Sequence, residues 1–491
     1  MNGGSPIQPI KRYSVVELLA NIQPTSVAGD AGVTVSDIIY DSRRAKPDTV
    51  FVAIRGQQAD GHSFALDAVR GGCAALVAEE PIEGAEVPQF VVPDTRIALA
   101  VMSATLFGRP SKRLSLAGIT GTNGKTTTAY FLESIYHAAG YKAGLIGTVE
   151  YRVAGERRPV TRTTPESYDL QKLLGEMADA GATHAAMEVS SHAIDMKRVV
   201  ACSFAVKAFT NLSQDHLDYH GDMERYFAAK QRFMEEPGAA VVNIDDEYGR
   251  RLAEDLPAAV TFSLDGEADY RAEGIENTVS GSIFALRAPD GVYRMAVNLP
   301  GGFNVANAIT AAATARAQGI AWQAVISGVS DLEAVPGRFE RLESGSGFTV
   351  IIDYAHTPDG LAKAVASAKE LTQGRVITVF GCGGDRDKTK RPLMGRAATA
   401  MSDVTIVTSD NPRSEDPEAI IDDILKGCEG KAATETDRRT AIKKAMEMAK
   451  PGDIVIIAGK GHEKEQILST GTIEFDDRAV AEDALKELTG T

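Results

Sequence analysis

A three-domain α/β protein is what this sequence predicts, and three observations predict it. The chain has 491 residues, enough for about three domains that each bury a core. Short apolar, strand-like runs alternate with helical stretches, the pattern of parallel sheets covered by helices. Four such runs in the last third each lead into a polar, glycine-bearing stretch. In an open α/β sheet those are the strand ends outside which ligands bind.

The first domain is expected over residues 1–111. Its β-like runs include "TVFVAIRG" and "AALVAEE". The helical stretch "IALAVMSATLFG" stops at Gly108 and Pro110, which places a boundary near Ser111. A central parallel-sheet domain of the P-loop ATPase type is expected over 112–342, from "THAAMEVSS", "FAVKAFTNLS" and "AAVVNIDDE". Within it, "GSIFALRAPDGVYRMAVNLPG" reads as an antiparallel insert with Asp290-Gly291 at the hairpin turn. The stretch "AVPGRFERLESGSG" reads as a linker into a third, Rossmann-like domain over 343–491. There "FTVIID", "RVITVF", "DVTIVT" and "DIVIIA" run into "YAHTPDG", "GCGGDRDKTKRP", "SDNPRSED" and "GKGHEKEQ". These loops carry Arg386, Arg413, Lys460, His462 and Glu463, a set suited to a shared anionic ligand.

Composition excludes several classes. Apolar residues make up 44% and charged residues 24%, which fits a soluble globular protein rather than a disordered one. A net charge of −15 argues against a nucleic-acid surface. Cys73, Cys202, Cys382 and Cys428 are scattered without C-x-x-C spacing, as in a reducing, cytoplasmic compartment. The start "MNGGSPIQPIKRYSVVELL" lacks a signal-peptide core, and no apolar window of about 18 residues suggests a membrane span.

The chemistry begins at "AGITGTNGKTTTAYFLE". It departs from G-x-x-x-x-G-K-[ST] by one place, because Ile119 stands where the first glycine belongs and Gly118 lies one residue back. The physics survives: Gly121 and Gly124 let N–H groups turn inward, and the following helix aims its positive end at an anion. Lys125 can reach β- and γ-phosphates and Thr126 can ligate Mg²⁺. Lys125 is expected to be exposed in the loop. In "MEVSSHAIDMKR", Glu188 ends a strand beside Ser190, Ser191 and His192; it suits a Mg²⁺ ligand, and equally a helix cap or an ion-pair partner. Asn211, Asp215, His216, Asp218 and His220 crowd one turn, which suggests a metal or phosphate site, the alternative being a hydrogen-bonded loop. Lys230, among Phe227, Ala228, Ala229 and Phe233, reads by itself as a lysine snorkelling to solvent.

Ten motifs then stand in order: "GTNGKTTT", "MEVSSHA", "TNLSQDHLDYHG", "YFAAKQRF", "GGFNVANA", "PGRFER", "DYAHTPD", "GCGGDRDKTKRPLMG", "DNPRSEDP" and "GKGHE". Together they resemble the Mur ligase family, the ATP-dependent amino-acid ligases of peptidoglycan synthesis, over nearly the whole chain. The nearest pattern within the family is that of the member adding the third residue, meso-2,6-diaminopimelate. The resemblance implies a reaction in which ATP phosphorylates a carboxylate, an amine attacks the acyl phosphate, and ADP and phosphate are released. Such chemistry is mainly positioning and charge neutralisation, so no Ser-His-Asp nucleophile is needed.

The resemblance also implies roles. Gly121, Thr122, Asn123, Gly124, Lys125, Thr126 and Thr127 would hold the ATP phosphates, with Asn304 and Asn307 near the adenine. Arg338, Asp353 and His356 would meet the nucleotide when the third domain closes. Thr126, Glu188, His216 and Lys230 would serve Mg²⁺, with Lys230 carbamylated by CO₂. Lys125, Lys230, His216 and Glu188 form the catalytic set. Ser42, Gln57, Gln58 and Ala59 would contact the uridine end of UDP-N-acetylmuramoyl-L-alanyl-D-glutamate, and Thr163, Thr164, Ser190 and Arg198 the rest. Diaminopimelate would meet Arg386, Asp410, Asn411, Pro412, Arg413, Gly459 and Glu463. Met196 stands where some relatives carry Gln, which withdraws an amide contact. The partners are small molecules and the protein is expected to be a monomer. Three other readings compete. A lysine-adding relative is disfavoured by the arginine in "DNPR", and folylpolyglutamate synthase by the start "DSRRAKPDTVFVAIRGQQADGH". A P-loop ATPase acting as a switch would turn over ATP without an acceptor amino acid.

Overall fold

The computed structural model describes residues 11–56, 59–430 and 432–489. They divide into two compact units, one of residues through Leu116 with Lys142–Ala205, the other of Ala117–Tyr141 with Val206 onward.

In the first unit, strands Asp37–Ile39, Thr49–Val52, Ala75–Ala78 and Gln89–Val91 pair in chain order and in parallel. Ser26–Ala28 closes the Gln89–Val91 edge antiparallel. The alternation of a strand explains the two apolar layers. Val50, Val52 and Val77 join Leu99 and Met102 on one face, while Phe51 and Leu76 join Ala65 and Ala68 on the other. Each fully buried Val, Leu or Phe contributes about 1.5–3 kcal/mol. Helix Thr95–Leu106 starts where the Asp94 carboxylate accepts from the amides of Arg96 and Ile97 at 2.9 and 3.0 Å. Helix Ser167–Asp179 packs against it and is tied to the sheet side of the unit by Tyr168 Oη donating to Asp37 at 2.7 Å. Strand His184–Glu188 runs parallel to Ala143–Ile146, which is extended antiparallel by Tyr151–Val153 and Glu156–Arg158.

In the second unit, Ser115–Thr120, Val206–Phe209, Ala239–Asn243 and Val260–Ser263 are successive parallel neighbours. Tyr270–Thr278, Gly281–Ala288 and Gly291–Val297 then form an antiparallel meander. The expected hairpin is present, with Ala288 paired to Gly291 across it. Helices Lys125–Ala138, Phe303–Ala317 and Trp322–Ser330 pack together.

The last sheet holds the four expected strands, Thr349–Asp353, Val376–Phe380, Val404–Val407 and Ile454–Ala458. They are parallel in the order 349–353, 454–458, 376–380, 404–407. Runs such as Ile454–Ala458 are buried throughout, as continuous apolar strands of a parallel sheet must be. The stretch expected as a linker does more than link: Glu340–Glu343 forms an antiparallel edge strand on Thr349–Asp353.

Candidate active site

The phosphate-loop geometry follows from the two glycines. Gly121 has φ 145°, and a Cβ there would lie 1.9 Å from Thr210 Oγ1. Gly124 has φ 87°, and its Cβ would lie 2.3 Å from Asn307 Oδ1. Neither position admits a side chain. The loop is held against the 210–213 segment: Thr122 N donates to Asn211 O (2.8 Å), Asn123 N to Asn211 Oδ1 (3.0 Å), and Ser213 N to Thr122 Oγ1 (3.0 Å). Helix Lys125–Ala138 begins immediately after Gly124, with Thr126 and Thr127 buried in its first turn.

Lys125 departs from the expectation of exposure. It is the first helical residue and half-buried. Its short distance from the loop lets Nζ fold back to Gly121 O (2.9 Å) and Thr122 O (2.7 Å).

Lys230 departs further. It lies on helix Met223–Glu235, capped by Asp222, and is 1% exposed rather than snorkelling. Its Nζ donates to Gly121 O at 2.9 Å and lies 4.7 Å from the Tyr226 ring centre. Burial, then the nearby Lys125 charge, holds this amine well below the usual lysine range, although Asp215 opposes the shift. Helical periodicity cannot reveal this, because the face that carries Lys230 packs under the loop rather than facing water.

Of the crowded turn, His216 adopts φ 55°, with Nε2 at 3.4 Å from Asp215 Oδ2. Burial raises Asp215, yet the His216, His356 and Lys390 charges outweigh it and keep the carboxyl below its ordinary range. His220 stacks on Tyr226 at 5.0 Å between ring centres. Among the described residues, no three His, Cys, Asp or Glu side chains converge as a metal cage. That still fits Mg²⁺, which takes few protein oxygens and keeps phosphates and water as its other ligands. The Thr126 hydroxyl and the Glu188 carboxylate have the right hard-oxygen chemistry. His216 offers a softer nitrogen, and Lys230 offers an oxygen only as a carbamate.

Asn304 and Asn307 are both buried, and Asn307 Nδ2 donates to Asn304 Oδ1 at 3.0 Å. From the last sheet, Asp359 Oδ2 accepts from Asn123 Nδ2 at 3.1 Å. Asp353 accepts from the amides of Phe339 (2.6 Å) and Ala355 (2.8 Å), and burial raises its carboxyl despite these bonds and Arg338. The Arg338 guanidinium lies 4.6 Å from the Tyr354 ring centre. His356 Nδ1 meets Tyr354 O at 2.8 Å, and burial lowers its pKa.

The remaining loops of that sheet meet each other. Asn411 Nδ2 donates to Glu463 Oε2 (2.8 Å), and fully buried Lys460 reaches Asn411 Oδ1 (3.1 Å) and Glu463 Oε2 (3.2 Å). Gly459, at φ 117°, has no room for a Cβ, which would sit 2.7 Å from Asp410 Oδ2. Pro412 is buried and Arg413 half-buried, with Arg413 Nη1 donating to Gly384 O at 2.8 Å. Arg386 is exposed.

The first unit gathers a separate group. Glu188 accepts from Thr148 N (2.7 Å) and Oγ1 (3.1 Å), and Thr163 Oγ1 lies 3.1 Å from Thr148 Oγ1. Thr164 Oγ1 donates to Glu188 O (2.9 Å) and accepts from Ser190 N (3.1 Å). Arg198 is buried, donating to Thr164 O (3.1 Å) and Glu166 Oε2 (3.2 Å). Met196 Sδ accepts from Arg198 Nη2 at 3.2 Å. Ser42 and Ala59 follow the carboxyl ends of two neighbouring parallel strands, 37–39 and 49–52. Gln57 and Gln58 lie outside the described residues. Sequence reading missed Thr148, Glu166, Lys207, Arg391, Glu415 and Arg438. Arg391 and Glu415 stand inside two of the quoted motifs, "GCGGDRDKTKRPLMG" and "DNPRSEDP", which could have flagged them.

A phosphate-type glycine loop at the start of a helix, in a chain of mixed sheets built around parallel strands, defines the class: an α/β protein. Three family descriptions match in succession, "Mur ligase family, catalytic domain" over residues 34–105, "Mur ligase middle domain" over 119–315 and "Mur ligase, glutamate ligase domain" over 337–461. The chain is 46% identical over 482 residues to UDP-N-acetylmuramoyl-L-alanyl-D-glutamate--2,6-diaminopimelate ligase of Solibacter usitatus, covering 96% of this chain and 98% of the relative. A solved structure of a protein of that name superposes with a TM-score of 0.71 at 32% identity, covering 98% of this chain and 100% of the other. The MurF ligase of Thermotoga maritima, solved in complex with ADP, shares the fold at a TM-score of 0.64 and 20% identity, covering 92% of this chain and 98% of that one. The chain belongs to the Mur ligase family. It is an ATP-dependent ligase that forms amide bonds.

Proposed function

We propose that this chain joins meso-2,6-diaminopimelate to the glutamate carboxylate of UDP-N-acetylmuramoyl-L-alanyl-D-glutamate, using ATP and passing through an acyl phosphate. The relatives named for that reaction support the choice of substrates. The observation that carries the acceptor is the loop group of Asn411, Lys460 and Glu463, tied by hydrogen bonds of 2.8–3.2 Å, with Arg413 joined to it through Asn411 O at 3.4 Å and to Gly384 O at 2.8 Å. A second amino-acid end needs a fixed cation for its carboxylate and an acceptor for its ammonium. Arg413 supplies the first as a planar fork, and Glu463 the second.

In this reading Lys125 leaves the carbonyls of Gly121 and Thr122 to neutralise phosphate charge. The Gly121–Thr127 loop cradles the phosphates, Asn304, Asn307 and Arg338 flank the nucleoside, and Asp353 and His356 complete the site. Thr126, Glu188, His216 and carbamylated Lys230 would be the candidate holders of Mg²⁺, which would supply neutralisation of phosphate charge. The γ-phosphoryl group passes to the glutamate carboxylate, with ADP leaving. The acceptor amine attacks the acyl carbon, loses a proton, and phosphate departs as the C–N bond is completed. Lys230 suits carbamylation because burial lowers its pKa and so favours the neutral amine, the form that captures CO₂. Ser42, Ala59, Thr163, Thr164, Ser190 and Arg198 hold the UDP-sugar peptide, and Arg386, Asp410, Pro412 and Gly459 shape the acceptor pocket.

The test offers the protein ATP and the UDP-muramyl dipeptide with diaminopimelate or lysine in turn. Phosphate release and product mass are followed. Ligation of lysine in preference to diaminopimelate refutes the acceptor, and ATP turnover independent of any amino acid refutes the ligation.

A further inference from the structure

The loops at 383–391 and 410–415 are built against each other. Gly384 N donates to Asn411 O at 2.9 Å. A Cβ on Gly384 would lie 2.0 Å from Pro412 O, so the two backbones touch. Each loop also holds a non-glycine residue in left-handed backbone, Asp385 at φ 52° and Arg413 at φ 54°. Such residues cost on the order of 1–3 kcal/mol and persist only where their surroundings over-determine them. Here each is held by the other loop. Arg413 Nη1 binds Gly384 O at 2.8 Å, while Ser414 donates to the Asp385 carboxylate through N (3.2 Å) and Oγ (2.7 Å).

Glu415 closes this arrangement. Its carboxylate accepts from Asp385 N (2.6 Å), Arg391 Nη2 (2.9 Å) and Lys388 Nζ (2.9 Å). Arg391 is 1% exposed and is fixed from its other side by Asp423 at 3.0 Å. These donors hold the Glu415 carboxyl down to about 2, so it stays ionised at any working pH.

We propose that Glu415 is a positioning residue for the acceptor amino acid: it fixes the Arg386 loop to the Arg413 loop and thereby sets the affinity for the acceptor's second carboxylate. The inference rests on the acceptor reading above, in which Arg413 faces that carboxylate and Arg386 shapes the pocket.

The test is Glu415→Gln, which keeps the shape but offers one oxygen where three donors converge. In steady-state ligation, KM for diaminopimelate should rise about 10- to 100-fold, the scale of losing one to two charge-assisted bonds. The kcat and the KM values for ATP and the UDP-muramyl dipeptide should stay within about threefold, since neither ligand depends on these charge-assisted bonds. Ser414→Ala, which removes the hydroxyl tie to Asp385, should raise the same KM by a smaller factor, about 2- to 10-fold. An unchanged KM for diaminopimelate in Glu415→Gln overturns the proposal. So does an equal loss in every parameter together with a fall in Tm, which marks general damage to the fold. A native protein that ligates a different amino acid instead sinks the acceptor reading, and the Glu415 assay is then read against that amino acid, where an unchanged KM overturns the positioning role.

Discussion

Lys230→Met separates what Lys230 holds up from what it does. Its Nζ makes a 2.9 Å bond to Gly121 O, and the same oxygen receives Lys125 Nζ at 2.9 Å, so the carbonyl keeps a donor after the substitution. The second contact, Nζ to Thr120 Oγ1 at 3.5 Å, is too long to add much, so the net loss is close to that of one neutral hydrogen bond, about 0.5–1.5 kcal/mol, partly offset because Met need not be desolvated. Stability should change by about 1 kcal/mol or less, and Tm by no more than a few degrees. Ligation should fall much further, by about 10²- to 10³-fold, the cost of removing one preorganised electrostatic partner. Lys230→Arg should fare no better, because a guanidinium does not deprotonate and cannot become a carbamate. The native amine titrates well below the ordinary 10.5, so the neutral, CO₂-capturing fraction grows as pH rises through the folded pKa and is lost below it. The assay pairs phosphate release with ¹³C NMR of protein equilibrated with labelled bicarbonate. A Met variant within tenfold of native activity, or an Arg variant equal to native with no labelled carbamate, would refute the reasoning.

Lys125→Ala should lose about 10²- to 10³-fold or more in kcat/KM, with the thermal midpoint nearly unchanged, since the side chain is half-buried and its bonds to Gly121 O and Thr122 O lie within its own loop; normal turnover in the folded variant defeats the nucleotide role. Arg413→Gly removes the guanidinium while suiting the φ of 54°, so kcat/KM for diaminopimelate should fall about 10- to 150-fold while KM for ATP stays put. Lys207 is fully buried, donates to Met234 O at 2.7 Å at the end of the Lys230 helix, and is held by burial at about 8 instead of 10.5. Its folded pKa is the lower one, so the unfolded chain binds the extra proton between pH 8 and 10.5. Native stability relative to Lys207→Met should therefore rise across that window, by at most about 3 kcal/mol, in urea unfolding at its two ends; a flat difference removes the buried amine from the account.

The strands and the phosphate loop were legible because they rest on local rules. Ile454–Ala458 can only be a strand buried on both faces, and Gly121 and Gly124 are required by backbone that no side chain permits. The state of individual charges was not legible. Lys230, Lys207, Arg391 and Arg438 sit in patterns that ordinarily place a cation in water, and each is instead buried by tertiary packing. The partners that make this tolerable are distant in sequence: Gly121 for Lys230, Glu415 and Asp423 for Arg391, Asp477 for Arg438. Lys125 was misplaced for the opposite reason, since its partners are its own loop carbonyls, a few bonds away. Glu340–Glu343 hid in a stretch rich in Gly and Ser, whose strand character comes from pairing with Thr349–Asp353 rather than from propensity.

The depth of these amines has a practical side. Lys207, Lys230 and Lys460 are between 0 and 1% exposed, so a bulky acylating reagent used to label or immobilise the native protein should pass them by. It should react instead at lysines such as Lys46, Lys388 and Lys426, whose side chains are 64–69% exposed. Lys388 is the one of these that matters, because acylation there removes one of the three donors on Glu415. Heavily labelled protein should keep its hold on ATP and lose its grip on the acceptor amino acid first.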